Sequence, residues 1–300
     1  MHTPLVRWWD RAENGLLWFK PENLQRIGSF KLRGAYNKIA SLSDEERQRG
    51  VVAYSSGNHA QGVALAARML GVRATIVMPH NAPRNKVENT AGYGAEIVFA
   101  GHNGSERQAR AEALAREKGY AMVPPFNDEA IIAGQGTIGL EIVAAVSDVD
   151  CVLAPVGGGG LIGGTAAALK LSGCRAQVIG VEPELAADAH ASLHAGHIVE
   201  FSGEETSRTL ADGLRAQHVG EVNFEYLRAY VDEIVTVSEG EIREAMRRLA
   251  LEAKLVAEPS GAVPFAAWLF HRKQLPPAQR TVAVISGGNV DPKLLAEILR

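Results

Sequence analysis

Lys31 has more chemistry to account for than any other residue in this sequence. It sits in "GSFKLRGA" (28–35), between Phe30 and Leu32, in a small, apolar, glycine-flanked setting. A free lysine amine has a pKa near ~10.4 and is almost wholly protonated at neutral pH. In such company the side chain is either a snorkelling surface lysine or an amine placed to react with a carbonyl carbon. Three other stretches carry serine, glycine and asparagine in close order: "SSGN" at 55–58, "GGGG" at 157–160 and "SGGN" at 286–289. Short hydroxyl side chains and exposed backbone amides suit the binding of anions and carboxylates.

The glycine loop "PVGGGGLIGG" (155–164) lies between a predicted strand and a predicted helix. Glycines there let amides converge on an anion at the helix N-terminus. No nearby lysine completes a nucleoside-triphosphate loop. Gly158, Gly160 and Gly163 also satisfy G-x-G-x-x-G, and Glu182 ends the following strand. A dinucleotide fold wants an acid about 20 residues on, for the ribose. Read locally, the loop fits a dinucleotide, a smaller phosphate, or tight strand–helix packing with no ligand. The dinucleotide reading leaves Lys31 and the other two loops without a task. A cofactor with one phosphate, one aldehyde and one aromatic ring uses all of them.

These residues need a scaffold, and the pattern around them supplies one. Short β-rich runs ("VVAYS", "RATIVMP", "AEIVFA", "DCVLAP", "AQVIGVEP", "DEIVTVS", "TVAVIS") alternate with helical stretches such as "HAQGVALAARML", "SERQARAEALAREKG" and "EGEIREAMRRLALEAK". This predicts an α/β fold with a mostly parallel sheet covered on both faces. Such sheets bind ligands beyond the C-terminal ends of their strands, where all three loops fall. The 300 residues are 46% apolar and 22% charged with a net charge of −3, so neither nucleic acid nor a membrane is an expected partner. The N-terminus lacks the apolar core of a signal peptide. Cys151 and Cys174 have no metal-ligand spacing and read as thiols of a reducing cytoplasm.

The segments "KPENLQRIGSFKLRGAYN", "SSGNHAQGVA", "PVGGGGLIGG", "EPSGA" and "SGGN" occur in this order. Together they resemble the fold-type II pyridoxal-phosphate (PLP) enzymes, in particular the threonine/serine dehydratase and serine racemase group. The resemblance covers nearly the whole chain. It implies a tryptophan synthase β-like architecture: two open, twisted, mostly parallel sheets flanked by helices, in a large and a small domain with the cofactor between them. The implied large domain comprises 1–49 and 128–300, and the small one 50–127.

The roles it implies are specific. Lys31 carries the cofactor as an imine and then serves as base, and Phe30 packs on the ring. Gly157, Gly158, Gly159, Gly160 and Leu161 give amides to the phosphate. Asn58 bonds the ring 3-oxygen and Ser286 the pyridine nitrogen. Ser55, Ser56, Asn58 and His59 surround the substrate carboxylate, and Ser56 matches the second acid/base of racemases. In plainer readings Ser55 or His59 caps a helix and Ser286 is an ordinary strand-end residue. Glu182, the carbonyl of Ala186 and Asp188 match a site for Mg²⁺ or Ca²⁺, against a reading as solvated acids at a helix start. A neutral serine at the pyridine nitrogen favours β-elimination from L-threonine or L-serine to a 2-oxo acid and ammonia.

Serine racemase or threo-3-hydroxyaspartate dehydratase activity is the alternative within the group, and a dinucleotide-binding protein without PLP is the alternative outside it. Arg215 reads as either a contact for a second substrate carboxylate or a surface charge. A cytoplasmic homodimer acting on a small amino acid is expected. The chain start at "HTPL" lacks the further helical segment usual in relatives, and no C-terminal regulatory domain is expected.

Overall fold

The computed structural model describes residues 2–9, 15–82, 84–102 and 104–300. The chain forms two compact units, one of Met1–Phe30 with Gln135–Arg300, the other of Lys31–Gly134.

The larger unit holds a six-stranded sheet. Its strands are β1 (Val6–Trp8), β2 (Leu16–Pro21), β7 (Cys151–Pro155), β8 (Gln177–Pro183), β9 (Glu233–Val237) and β10 (Arg280–Ile285), in the order β1-β2-β10-β7-β8-β9. Only the β1–β2 pair is antiparallel. The smaller unit holds β3 (Val51–Tyr54), β4 (Ala74–Met78), β5 (Glu96–Phe99) and β6 (Ala121–Met122), all parallel, in the order β5-β4-β3-β6. β4 and β7 are buried at every residue. They are central parallel strands covered on both faces, and their sequences are accordingly apolar but for Thr75.

The helices that matter most are α1 (Lys31–Ala40), α2 (Asp44–Arg49), α3 (Asn58–Met69), α4 (Arg84–Gly92), α5 (Gly104–Lys118), α6 (Glu129–Ala145), α7 (Gly160–Leu171) and α8 (Asp188–Ala195). Later come α9 (Gly203–Thr206), α10 (Glu221–Tyr230), α11 (Glu239–Arg248), α12 (Pro259–Phe270) and α13 (Pro292–Ile298). The helix α2 opens on a reciprocal capping box between Ser43 and Glu46. Glycines thin the contacts of α1. A Cβ on Gly62 of α3 would lie 3.1–3.2 Å from the carbonyl and Cβ of Lys31, and one on Gly134 of α6 only 2.6 Å from Gly34 Cα.

Two departures from the sequence reading have clear causes. The antiparallel β1–β2 edge was not expected, because a three-residue strand carries too little alternation to be recognised. The helix expected from Glu239 through Lys254 stops being α-helical at Arg248. A π-helical turn covers Leu249–Ala253, and Lys254 follows in the left-handed region at φ 60.

Candidate active site

In the larger unit the C-terminal edge of the sheet gathers one set of the expected residues. Adjacent strands β10 and β7 lead into Ser286 and into the glycine loop. Gly159 caps α7 with φ +90, a conformation that favours glycine. The first amides of α7 have no partner inside the helix, so Gly160 and Leu161 present donors at its positive end. The loop is walled by the 213–220 segment. A Cβ on Gly157 would meet the Gly213 carbonyl oxygen at 3.2 Å, and the Gly220 amide donates to the Gly158 carbonyl at 3.2 Å.

Phe30 is half-buried against the apolar cluster that includes Leu161, and its amide donates to the Ser286 carbonyl at 3.0 Å. Ser29 bridges to Gly287, and Gly288 donates to the Gly28 carbonyl. The segment before Lys31 is thus stitched along the "SGGN" loop. The Ser286 hydroxyl is buried, with a long 3.5 Å contact to the Ser260 carbonyl.

The smaller unit gathers the second set. Lys31 begins α1, and its Nζ donates to the Pro125 carbonyl at 2.7 Å. The residue as a whole is half-buried but its amine is enclosed, and burial lowers its pKa to about 8. The Pro125 segment is held to α1: Lys38 pairs with Asp128 at 2.6 Å, and the Asn37 side-chain amide donates to the Ala130 carbonyl at 2.7 Å.

Ser55, Ser56 and Asn58 are half-buried in the turn from β3 into α3. The cap of α3 is Gly57, and the Ser55 hydroxyl instead accepts from the Gly57 amide at 3.2 Å. His59 is no cap either. It is buried, with Nε2 donating to the Val123 carbonyl at 2.9 Å, and burial with the nearby Lys31 amine lowers its pKa to about 3. It is a neutral, fixed ring. The Pro125 and Val123 carbonyls escape sequence reasoning because a backbone acceptor has no side-chain signature.

The acidic candidates lie elsewhere in the larger unit. Glu182, Ala186 and Asp188 are all wholly buried, so the solvated-acid reading fails. Glu182 accepts from the amides of Ala189 at 3.1 Å and His190 at 2.7 Å, capping the start of α8. Both Asp188 carboxylate oxygens are buried with no hydrogen-bond partner among the described residues. Burial and the neighbouring Asp188 carboxylate raise Glu182 well above the usual range, and burial raises Asp188 to about 7. Among the described residues no three metal-ligating side chains stand grouped around one point. Arg215 is exposed and donates from Nε and Nη2 to the Thr209 carbonyl at 3.0 and 2.5 Å. Cys151 is a buried free thiol pushed up to about 12 by burial, and Cys174 is free and half-buried. No helix among the described residues is long and apolar enough to cross a membrane.

Taken unit by unit, the residues fit the chemistry of PLP. A glycine cradle meets a helix N-terminus, a buried neutral hydroxyl stands at the next strand end, and an enclosed amine has its pKa drawn toward neutrality. The dinucleotide alternative fits poorly, because Glu182 is wholly buried and both its oxygens are engaged at α8.

Comparison with known proteins agrees. The profile of the pyridoxal-phosphate dependent enzyme family matches residues 2–287. An L-threonine ammonia-lyase of Thermotoga maritima is 48% identical over 97% of this chain and 71% of its own length. An L-threo-3-hydroxyaspartate ammonia-lyase of Saccharomyces cerevisiae is 44% identical over 94% of this chain and 86% of its own. Among solved structures, maize serine racemase superposes with a TM-score of 0.93 at 37% identity, covering 99% of this chain and 91% of its own.

Proposed function

The chain belongs to the pyridoxal-phosphate-dependent enzymes, and we propose that within them it is an ammonia-lyase converting L-threonine or L-serine to a 2-oxo acid and ammonia. The observation that carries this reading is the Lys31 amine, enclosed and lowered to about 8 at the start of α1. An amine so tuned is uncharged in a substantial fraction near neutral pH. Such an amine would hold an aldehyde cofactor and, when free of it, would serve as base toward the substrate α-carbon.

When bound, PLP supplies the electron sink that lets the α-proton leave and the β-hydroxyl follow. The other roles belong to the chain. The amides of Gly157, Gly158, Gly159, Gly160 and Leu161 would hold the phosphate, and Phe30 would pack on the ring. The Ser286 hydroxyl would face the pyridine nitrogen as a neutral partner, a setting that favours elimination. Ser55, Ser56, Asn58 and the fixed neutral His59 receive the substrate carboxylate, and Asn58 also reaches the ring oxygen. Ser56 is the residue through which racemisation would compete.

The acid pair supports a further reading. Two buried carboxylates with two unpartnered oxygens are costly without a counter-charge. Glu182, the Ala186 carbonyl and Asp188, completed by water, would accept Mg²⁺ or Ca²⁺ as a structural ion. The assembly we propose is a homodimer, and the free thiols suit a reducing cytoplasm.

The test is to incubate PLP-loaded protein with L-threonine, L-serine and L-threo-3-hydroxyaspartate, and to measure 2-oxo acid, ammonia and D-serine. Ammonia and 2-oxo acid in equal amounts from threonine or serine support the proposal. D-serine as the main product, or turnover of hydroxyaspartate alone, would replace it with the racemase or the diacid reading.

A further inference from the structure

Three of the nine histidines fall within eight residues, at 190, 194 and 197, in a stretch the lyase chemistry leaves unused. His190 and His194 are one turn apart on α8 and therefore share a face. Their ring centroids are 4.4 Å apart. The His194 Nδ1 donates to the His190 carbonyl at 2.9 Å, which fixes the tautomer and leaves Nε2 with a free lone pair. That Nε2 lies 3.8 Å from Glu233 Oε1, on the first residue of β9. Glu233 Oε1 already accepts from the Ile234 amide at 2.8 Å, so its carboxylate is held in place beside the imidazole. The side chains of His194 and Glu233 are 54% and 45% exposed, open to ions from solution.

We propose that His190 and His194 form a two-imidazole chelate for a transition-metal ion of the Zn²⁺, Ni²⁺ or Cu²⁺ class, with water completing the shell and the Glu233 carboxylate beside it as a counter-charge. Imidazole nitrogen selects these ions, whereas Mg²⁺ and Ca²⁺ prefer oxygen. The site is therefore chemically distinct from the Glu182–Asp188 pair, although both touch α8. An ion bound here ties α8 to β9. It also steadies the helix start whose His190 amide holds Glu182. Binding to the folded form alone raises the melting temperature with ion concentration.

The experiment uses tag-free, PLP-loaded protein, treated with chelator and kept in excess Mg²⁺. Titration with Ni²⁺ by calorimetry counts equivalents, and the Cu²⁺ electron paramagnetic resonance spectrum counts nitrogen ligands. Wild type should bind one equivalent that His194→Ala loses, with two coordinated nitrogens. Glu233→Gln should keep both nitrogens but bind more weakly. His80→Ala is the control, since His80 and His102 form another ring pair 5.6 Å apart, and it should keep the equivalent. Unchanged stoichiometry in His194→Ala, or fewer than two nitrogens in wild type, would overturn the proposal.

Discussion

Lys31 in the smaller unit and the Glu182–Asp188 pair in the larger one are ionisable groups taken out of water, and burial acts on them in opposite directions. At Lys31 it disfavours the ammonium and lowers the pKa to about 8. At the acid pair it disfavours carboxylate, raising Glu182 well above its usual range and Asp188 to about 7. The surroundings then separate the two. Lys31 donates to a neutral carbonyl, that of Pro125, which does not offset the effect of burial with a counter-charge. Burial raises both acids, and the Asp188 carboxylate makes Glu182 harder still to ionise. The same physics leaves an amine easier to deprotonate in one place and carboxyls harder to ionise in the other.

The sharpest way to break the comparison is to remove its reactive half. Lys31→Ala should lower the rate of elimination by at least about 10²–10⁴-fold, the range for losing one acid–base group. It should also lose the visible absorption of lysine-bound cofactor, while the melting temperature of the cofactor-free protein changes little or rises. An active variant would mean that another amine does the work.

Next in size are the glycines that let helices close around that lysine. A Cβ on Gly134 would meet Gly34 Cα at 2.6 Å and the Arg33 carbonyl at 2.7 Å. Gly134→Ala should destabilise by about 1–3 kcal/mol, read from urea melts, and weaken cofactor retention. At Gly62 the neighbouring atoms are 3.1–3.2 Å away, so Gly62→Ala should cost less stability but still shift Lys31 and reduce turnover. The acid pair has no such dependence. Equal losses of turnover from glycine changes around α8 would show that the two regions do not differ as described.

The acid half is tested by pH. Folded-state pKa values raised above the unfolded ones give stability that is full below the ordinary carboxylate range and lost as pH rises through the folded values. With chelator present, the melting temperature should fall from about pH 4.3 toward neutrality, the Asp188 part of the loss running up to about pH 7. Mg²⁺ or Ca²⁺ should flatten that fall, and Glu182→Gln should remove much of it. A melting curve indifferent to chelator across this range would leave the pair as proton-bound acids only.

The smallest effect expected is at Ser286. Its hydroxyl has one long contact, to the Ser260 carbonyl at 3.5 Å, and little to lose in the protein itself. Ser286→Ala should weaken PLP binding by roughly two- to tenfold, the worth of one hydrogen bond, by fluorescence titration.

Much of this arrangement is legible in the sequence because parallel strands announce themselves. Runs such as "CVLAP" and "TVAVI" are buried throughout and, Thr281 apart, apolar, and the residues just past them, Gly157 to Leu161 and Ser286, lie at the C-terminal sheet edge, the end where such sheets bind ligands. Lys31 stands out by its company. What stays hidden is made of backbone and space. The Pro125 carbonyl that holds the Lys31 amine and the clearances at Gly62 and Gly134 depend on chain crossings that no local pattern encodes. The burial of Glu182 is hidden too, since an acid at a strand end reads equally well as a ribose ligand or a solvated charge. Its commitment to α8 emerges only from the fold.

The most direct test of the central claim, that burial makes Lys31 the cofactor-bearing amine, is borohydride reduction of the PLP-loaded protein followed by peptide mapping. The uncharged fraction of Lys31 grows as pH climbs through about 8. PLP capture by cofactor-free protein should therefore speed up over that interval and then level off, whereas a surface lysine continues toward ~10.4. The account predicts one pyridoxyl group per chain, on the peptide containing Lys31. Label spread over surface lysines, or fixed on a different lysine, would contradict it.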